Sequence, residues 1–218
     1  MSLQNRVTPF GEIVATPACG LMMGNRGGRL HTKPRVLGRA RWRSRQWICC
    51  RLAFKNRHRQ VMAPNSYTEL FFLDEATALA AGHRPCAECR RAEFNAFRRA
   101  WPGGTSGNIR AADMDTILHT QRWAVVGDTQ RPKIHSADMP EGAMVAIAGH
   151  AWLVTRGGLR QWSISGYGEA RDHGPDVKLL TPPATVAILR AGYQPGLHPS
   201  YGPIKTVKTN KSNKRNTP

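Results

Sequence analysis

Apolar and polar positions alternate in short stretches along the first third of the chain. Glu12 to Ala18 (EIVATPA) reads as a strand, and Gly24 to Gly28 (GNRGG) as a turn or loop. Arg41 to Phe54 predicts a longer strand. Ile48, Cys50, Leu52 and Phe54 fall on one face by period two, and Cys49, Arg51 and Lys55 on the other. Lys55-Asn56-Arg57-His58 turns the chain back as a hairpin through Gln60 to Met62. Pro64-Asn65-Ser66 breaks the pattern, and Tyr67 to Leu73 (YTELFFL) makes another strand.

The period then becomes helical. Asp74 is placed to cap a helix over Glu75 to Ala81, with Gly82 at C′. A second helix is predicted from Pro85 or Cys86 to about Ala100, its core face formed by Phe94, Phe97 and Trp101. Pro102-Gly103-Gly104 stops it. A third starts at the cap Asp113 and carries Ile117, Leu118 and Ala124. From Pro140 onward, Ala143 to Ile147, Trp152 to Thr155 and Leu159 to Ile164 form a three-strand meander. Thr181-Pro182 opens a last helix that Gly192 ends.

Charge changes the picture. The 218 residues hold 32 Lys and Arg against 14 Asp and Glu, a net charge of +18. Residues 1–63 hold 13 basic residues and the single acid Glu12, residues 64–203 are near neutral, and residues 204–218 hold five basic residues and no acid. A uniformly solvated surface does not segregate charge in this way. The pattern disfavours an acidic small-protein partner or a cationic substrate and favours a polyanion. After Ile204 the tail has one apolar residue, Val207, and is expected to be disordered.

Within the basic quarter, Arg39, Arg41, Arg43 and Arg45 alternate, with Trp42 and Trp47 interleaved. Arg51, Lys55, Arg57 and Arg59 continue on the same odd-numbered side. No acid occurs from residue 13 to 68. In an extended strand this sets guanidiniums about 6.5–7 Å apart along one face, close to the phosphate repeat of a nucleic acid. Guanidinium also suits phosphate geometrically.

No window reaches the roughly 18 to 20 apolar residues of a membrane span. Met1 to Gly24 has no basic region followed by an apolar run, so a cytoplasmic location is expected, with nucleoid association compatible with it. Five cysteines are too few for a disulfide scaffold. Cys86-Ala87-Glu88-Cys89 is a C-x-x-C, whose thiols at i and i+3 of a helix start face one side and can hold one metal ion. Cys50 or Cys49 supplies a third thiol. Cys50 is preferred because it shares the apolar face with Ile48 and Leu52. His31, His58, His83 and Cys19 compete for a fourth place, and His31 is preferred because its distant loop could close over the site.

The run from Ala78 through Gly82-His83-Arg84-Pro85-Cys86 to Cys89, led by the strand Tyr67 to Leu73, resembles the zinc-binding N-terminal domain of the Ada family of alkylation-repair proteins. The match covers residues 67–91. The resemblance implies a thiolate-bound Zn2+, contact with DNA phosphates, and one zinc-bound cysteine that accepts a methyl group. This chain carries the adjacent pair Cys49-Cys50 where the family has C-x-x-x-C, and no cysteine follows residue 110. Methyl transfer, for which Cys49 is the one candidate, is therefore not expected.

The expected fold is α+β. A small zinc-stapled β-hairpin and helix module spans residues 1–105, and a second small α+β domain with the meander and a C-terminal helix spans 106–203. The basic tail follows over 204–218. The expected function is a zinc-containing nucleic-acid-binding protein, with DNA favoured over RNA by the resemblance. The proposed zinc ligands are Cys50, Cys86, Cys89 and His31, and Arg39, Arg41, Arg43, Arg45, Arg51, Arg57 and Arg59 face phosphate. No membrane partner or small-molecule substrate is implied. The competing classes are a metal-dependent nuclease or methyl-accepting repair enzyme, and an RNA- or ribosome-associated zinc protein.

Overall fold

The computed structural model describes residues 2–32, 35–57, 60–103, 109–122 and 131–202. The chain folds as α+β, and its described residues form two six-stranded sheets, a small hairpin and four helices. The first sheet is built from β1 (Gln4–Val7), β2 (Ile13–Ala15), β3 (Met22–Arg26), β6 (Trp47–Arg51), β7 (Leu70–Phe72) and β8 (Arg84–Pro85), in the order β2-β1-β7-β3-β6-β8. The pairs β1–β7 and β6–β8 are parallel. The hairpin β4 (His31–Thr32) and β5 (Val36–Leu37) stands apart from it. The helices are α1 (Glu75–Ala80), α2 (Arg91–Arg99), α3 (Ala111–Gln121) and α4 (Pro183–Arg190). The second sheet contains β9 (Lys133–Ile134), β10 (Met144–Ile147), β11 (His150–Thr155), β12 (Gly158–Ser163), β13 (Gly166–Arg171) and β14 (Val177–Leu179), in the order β13-β12-β11-β10-β14-β9.

Gly24 lies inside β3, where a turn was expected. A Cβ there would sit 2.1 Å from the Ile48 carbonyl oxygen, so only glycine allows β3 to lie this close to β6. The strand predicted over 41–54 contracts to β6, and the meander gains β13 and β14. Helix α2 starts at Arg91, so the C-x-x-C precedes it in a turn. Helix α3 starts at Ala111, where Asp113 bonds Arg110 instead of capping. Ala124 and the tail lie outside the described residues.

Helix α1 shows why its segment is rich in alanine. Asp74 caps it, its carboxylate accepting from the Thr77 N–H at 2.9 Å, and Gly82 takes φ +82° just beyond it. All six residues are buried. Ala78 and Ala81 pack on the first sheet with Leu70, Phe72 and Val7. Ala76 and Ala80 pack on Met144, Ala146 and Leu153 of the second. Leu79 joins the aromatic and aliphatic cluster on the far side of that sheet, with Phe97, Leu118, Val145, Val154 and Ile188. Small side chains let one helix fit between two sheets. Strands β10 and β11 are covered on both faces, hence their unbroken apolar runs. The boundary at 105/106 thus separates the sheets along the chain, but their buried clusters run across it.

Candidate metal centre

The parallel register of β6 and β8 sets Ile48 opposite Arg84 and Cys49 opposite Pro85. The Cys86 N–H donates to the Cys49 carbonyl at 2.9 Å, which brings Cys86 beside Cys50. The chain then turns, with the Arg90 N–H closing on the Cys86 carbonyl at 3.2 Å, and this returns Cys89 to the same side. The Sγ atoms of Cys50, Cys86 and Cys89 all lie within 4.8 Å of one another, and all three residues are buried. Met23, Ile48 and Phe54 pack around them. A tetrahedral metal with bonds of about 2.3 Å holds its sulfurs about 3.8 Å apart, so small side-chain movements close this group on one ion. Three close, buried thiols could hold a metal ion, and their softness suits zinc, cuprous copper or iron–sulfur chemistry.

Charge at the group favours metal uptake. A hydrogen bond from the Cys50 thiol, helped by the backbone N–H groups of Cys89 and Glu88, outweighs burial and holds the Cys86 thiol down at about 5. Donating that bond, and then burial, pushes Cys50 far above its ordinary value, and burial also raises Cys89. One thiolate therefore accepts from neighbouring thiols whose protons a metal ion would replace.

The face assignment of the cysteine pair is reversed. The odd-numbered face of β6 carries Trp47 and Cys49 into the core, both fully buried. Cys49 packs with Leu70, Phe72 and Ala78, while Cys50 lies on the more open face with Ile48. Burial first, and Glu75 next, drive the Cys49 thiol far up, although its Sγ accepts from Arg90 at 3.6 Å. Cys49 thus lies outside the three-thiol group, its thiol buried in the apolar core. Incubation of the native protein with alkylated DNA is expected to add no methyl mass at Cys49, read by fragmenting the peptide that holds it. A stoichiometric gain there would contradict its burial.

His31 is placed elsewhere. Its Nδ1 accepts from the Thr68 hydroxyl at 2.8 Å and its Nε2 donates to the Ala63 carbonyl at 3.0 Å, so both nitrogens serve the loop that holds it. His83 is fully buried between Phe72 and Trp47, its Nε2 bonded by Arg26 at 3.4 Å. Burial and the adjacent arginines push it well below its ordinary value. Cys19 is exposed. His58 and Arg59 lie outside the described residues.

The arginines divide in a way that residue spacing hides. Because β6 ends the extended stretch at Trp47, residues 39–46 form a loop in place of the expected strand. Trp47 is buried, with the Arg26 and Arg122 guanidiniums 4.0 and 4.3 Å from its ring centre. Burial, and then repulsion by neighbouring arginines, pulls Arg26 down to about 9, and burial does the same to Arg122. Arg122 donates to the Arg45 carbonyl, and the Arg43 N–H donates to the Arg26 carbonyl, both at 2.8 Å. The loop is thereby tied down while the side chains of Arg39, Arg41, Arg43 and Arg45 stay exposed. Arg41 and Arg43 donate to backbone carbonyls, and among the described residues none of the four pairs with a carboxylate. Arg51 and Arg57 are exposed but pair with Glu93 at 3.3 Å and Glu88 at 2.8 Å.

A second network was missed because its members are scattered. Arg84 bonds both oxygens of Asp115 at 2.8 Å. Glu75 accepts from Arg90, from the Tyr193 hydroxyl and from the Gly196 N–H at 2.6–2.9 Å. All of these charged groups are buried. Comparison with protein-family models, curated proteins and solved structures found no match to this chain. Among the described residues no helix is long and apolar enough to cross a membrane.

Proposed function

We propose that the protein is a zinc-containing nucleic-acid-binding protein that binds DNA, with the Ada-like segment as its metal-held half. The exposed Arg39–Arg45 loop carries this reading: four exposed arginines stand on a backbone held by bonds to Arg26 and Arg122, without carboxylate partners among the described residues. A pinned cationic loop loses little entropy on meeting phosphate, and arginine forks match phosphate oxygens. Zinc is the ion proposed for Cys50, Cys86 and Cys89, because a redox-inert metal with thiolate preference suits a structural staple beside that surface. The ion would hold β6, β8 and the start of α2 together.

Binding to duplex DNA is expected to depend steeply on salt. About four to eight phosphate contacts give a log–log slope of roughly −4 to −7. Arg43→Ala with Arg45→Ala should flatten that slope by about two contacts and weaken all sequences alike. Zinc content should not change, because neither substitution touches a thiol. Titrations against duplex DNA, single-stranded DNA and RNA across a salt series measure this. Binding that ignores salt, or a double variant indistinguishable from wild type, removes the nucleic-acid reading. Tighter binding to RNA than to DNA moves it to the RNA-associated class.

A further inference from the structure

A cleft of about 490 Å³ opens over the three thiols, within the size range of ligand pockets. Cys50, Cys86 and Cys89 all line it. Among the described residues no fourth His, Cys, Asp or Glu joins their group. A closed structural zinc site takes four protein ligands, whereas three leave a position for an outside donor. A metal held by these thiols would have that position open to the cleft they line.

The rest of the cleft narrows the kind of donor. Cross-strand register places Cys50 beside Met23 and Met23 beside Phe71, one row across β6, β3 and β7. The row spans two strand spacings, about 9.5 Å. Phe71 and Phe54 give the cleft aromatic walls. Glu69, two residues before Phe71 on the same side, also lines it. Its Oε2 accepts from the Met62 N–H at 2.7 Å, but among the described residues its Oε1 has no hydrogen-bond partner, although the residue is only 3% exposed. A buried carboxylate oxygen without a donor is costly, and a ligand N–H would satisfy it. At the rim, Arg51 pairs with Glu93 and Arg57 with Glu88, Arg57 also lying 5.6 Å over the Phe54 ring, and solvent-exposed pairs of this kind are weak enough for a phosphate to compete with.

We infer that this cleft is a nucleobase pocket. It takes one unstacked nucleotide of the bound strand, with the base lying between the metal's open position and Glu69 and its phosphate at Arg51 and Arg57. A flat heteroaromatic body suits the phenylalanine walls, a ring nitrogen suits the metal, an exocyclic or ring N–H suits Glu69 Oε1, and the charge at the rim suits phosphate. The inference rests on the nucleic-acid reading and adds to it the unit that is recognised.

The test uses the full chain loaded with Co2+, whose visible absorption reports changes at a thiolate site. Titration with deoxyadenosine or deoxycytidine monophosphate should shift that spectrum saturably, and deoxyribose 5-phosphate, which lacks a base, should not. A 2-aminopurine placed in a single strand should change its fluorescence on binding. Glu69→Gln and Phe71→Ala should each weaken mononucleotide binding by about tenfold, the scale of one lost base contact. Metal content should stay within about twofold, because neither substitution touches a thiol. A cobalt spectrum blind to nucleotides overturns the pocket, as does an equal response to the sugar phosphate. A His58→Ala variant whose cobalt spectrum differs from wild type overturns it too, because that residue then fills the fourth position. Duplex binding that persists beside a silent cobalt spectrum sinks the pocket alone. Loss of salt-dependent binding to every polymer sinks the reading it rests on.

Discussion

Cys86→Ser or Cys89→Ser is expected to reduce bound metal from about one equivalent per chain to less than a tenth, and to lower the unfolding midpoint by about 10 °C or more. Cys50→Ser should do the same, and Cys49→Ser should leave metal content intact. The distinction follows from the two faces of β6. Cys50 stands with Cys86 and Cys89, while Cys49 stands in the apolar core with Leu70 and Phe72. Elemental analysis of the purified proteins, with thermal melts before and after chelation, measures both effects. A metal-free wild type that folds stably would remove the metal centre. Loss of metal in Cys49→Ser with retention in Cys50→Ser would reverse the assignment of faces.

The buried pair of Glu75 and Arg90 gives the second large effect. Glu75 is 1% exposed and Arg90 is 3% exposed. Between them they tie the start of α1, the turn after the C-x-x-C and the segment around Tyr193 and Gly196. Glu75→Ala leaves a buried guanidinium and a buried tyrosine hydroxyl without their acceptor, and should cost about 3–5 kcal/mol in chemical denaturation. Replacing both residues, as Glu75→Ala with Arg90→Met, should cost less than Glu75→Ala alone. The double variant leaves no buried charge without a partner. If instead the two losses add, the pair is not energetically linked.

Parts of this architecture are legible because they depend on short-range chemistry. Asp74 followed by an alanine-rich run and Gly82 defines α1, since a cap, a propensity and a left-handed stop all act within one segment. The C-x-x-C brings two thiols together through one turn. Strands β10 to β12 are visible because apolar runs between Gly-containing turns leave few alternatives. Strand β3 is not visible, because Met22-Met23-Gly24-Asn25-Arg26 carries no strand signature. It becomes a strand only because β6 and β7 lie on either side and Gly24 allows the close approach.

What the chain's own sequence determined, then, is its mixed α+β class, the cap and length of α1, the paired thiols of the C-x-x-C and the concentration of positive charge in its first quarter. Each is a property of composition or of neighbours a few residues apart. The tertiary structure alone decided which cysteine of the pair turns toward Cys86, since the face of β6 that is buried is the one on which Ala78 and Ala81 pack. It also decided the fate of each arginine. Arg26 and Arg122 flank Trp47 in the core, Arg84 and Arg90 meet buried carboxylates, and Arg39 to Arg45 remain in solvent. A guanidinium is identical in all these settings. Which partner it meets is set by segments tens of residues away, and local spacing carries no information about them.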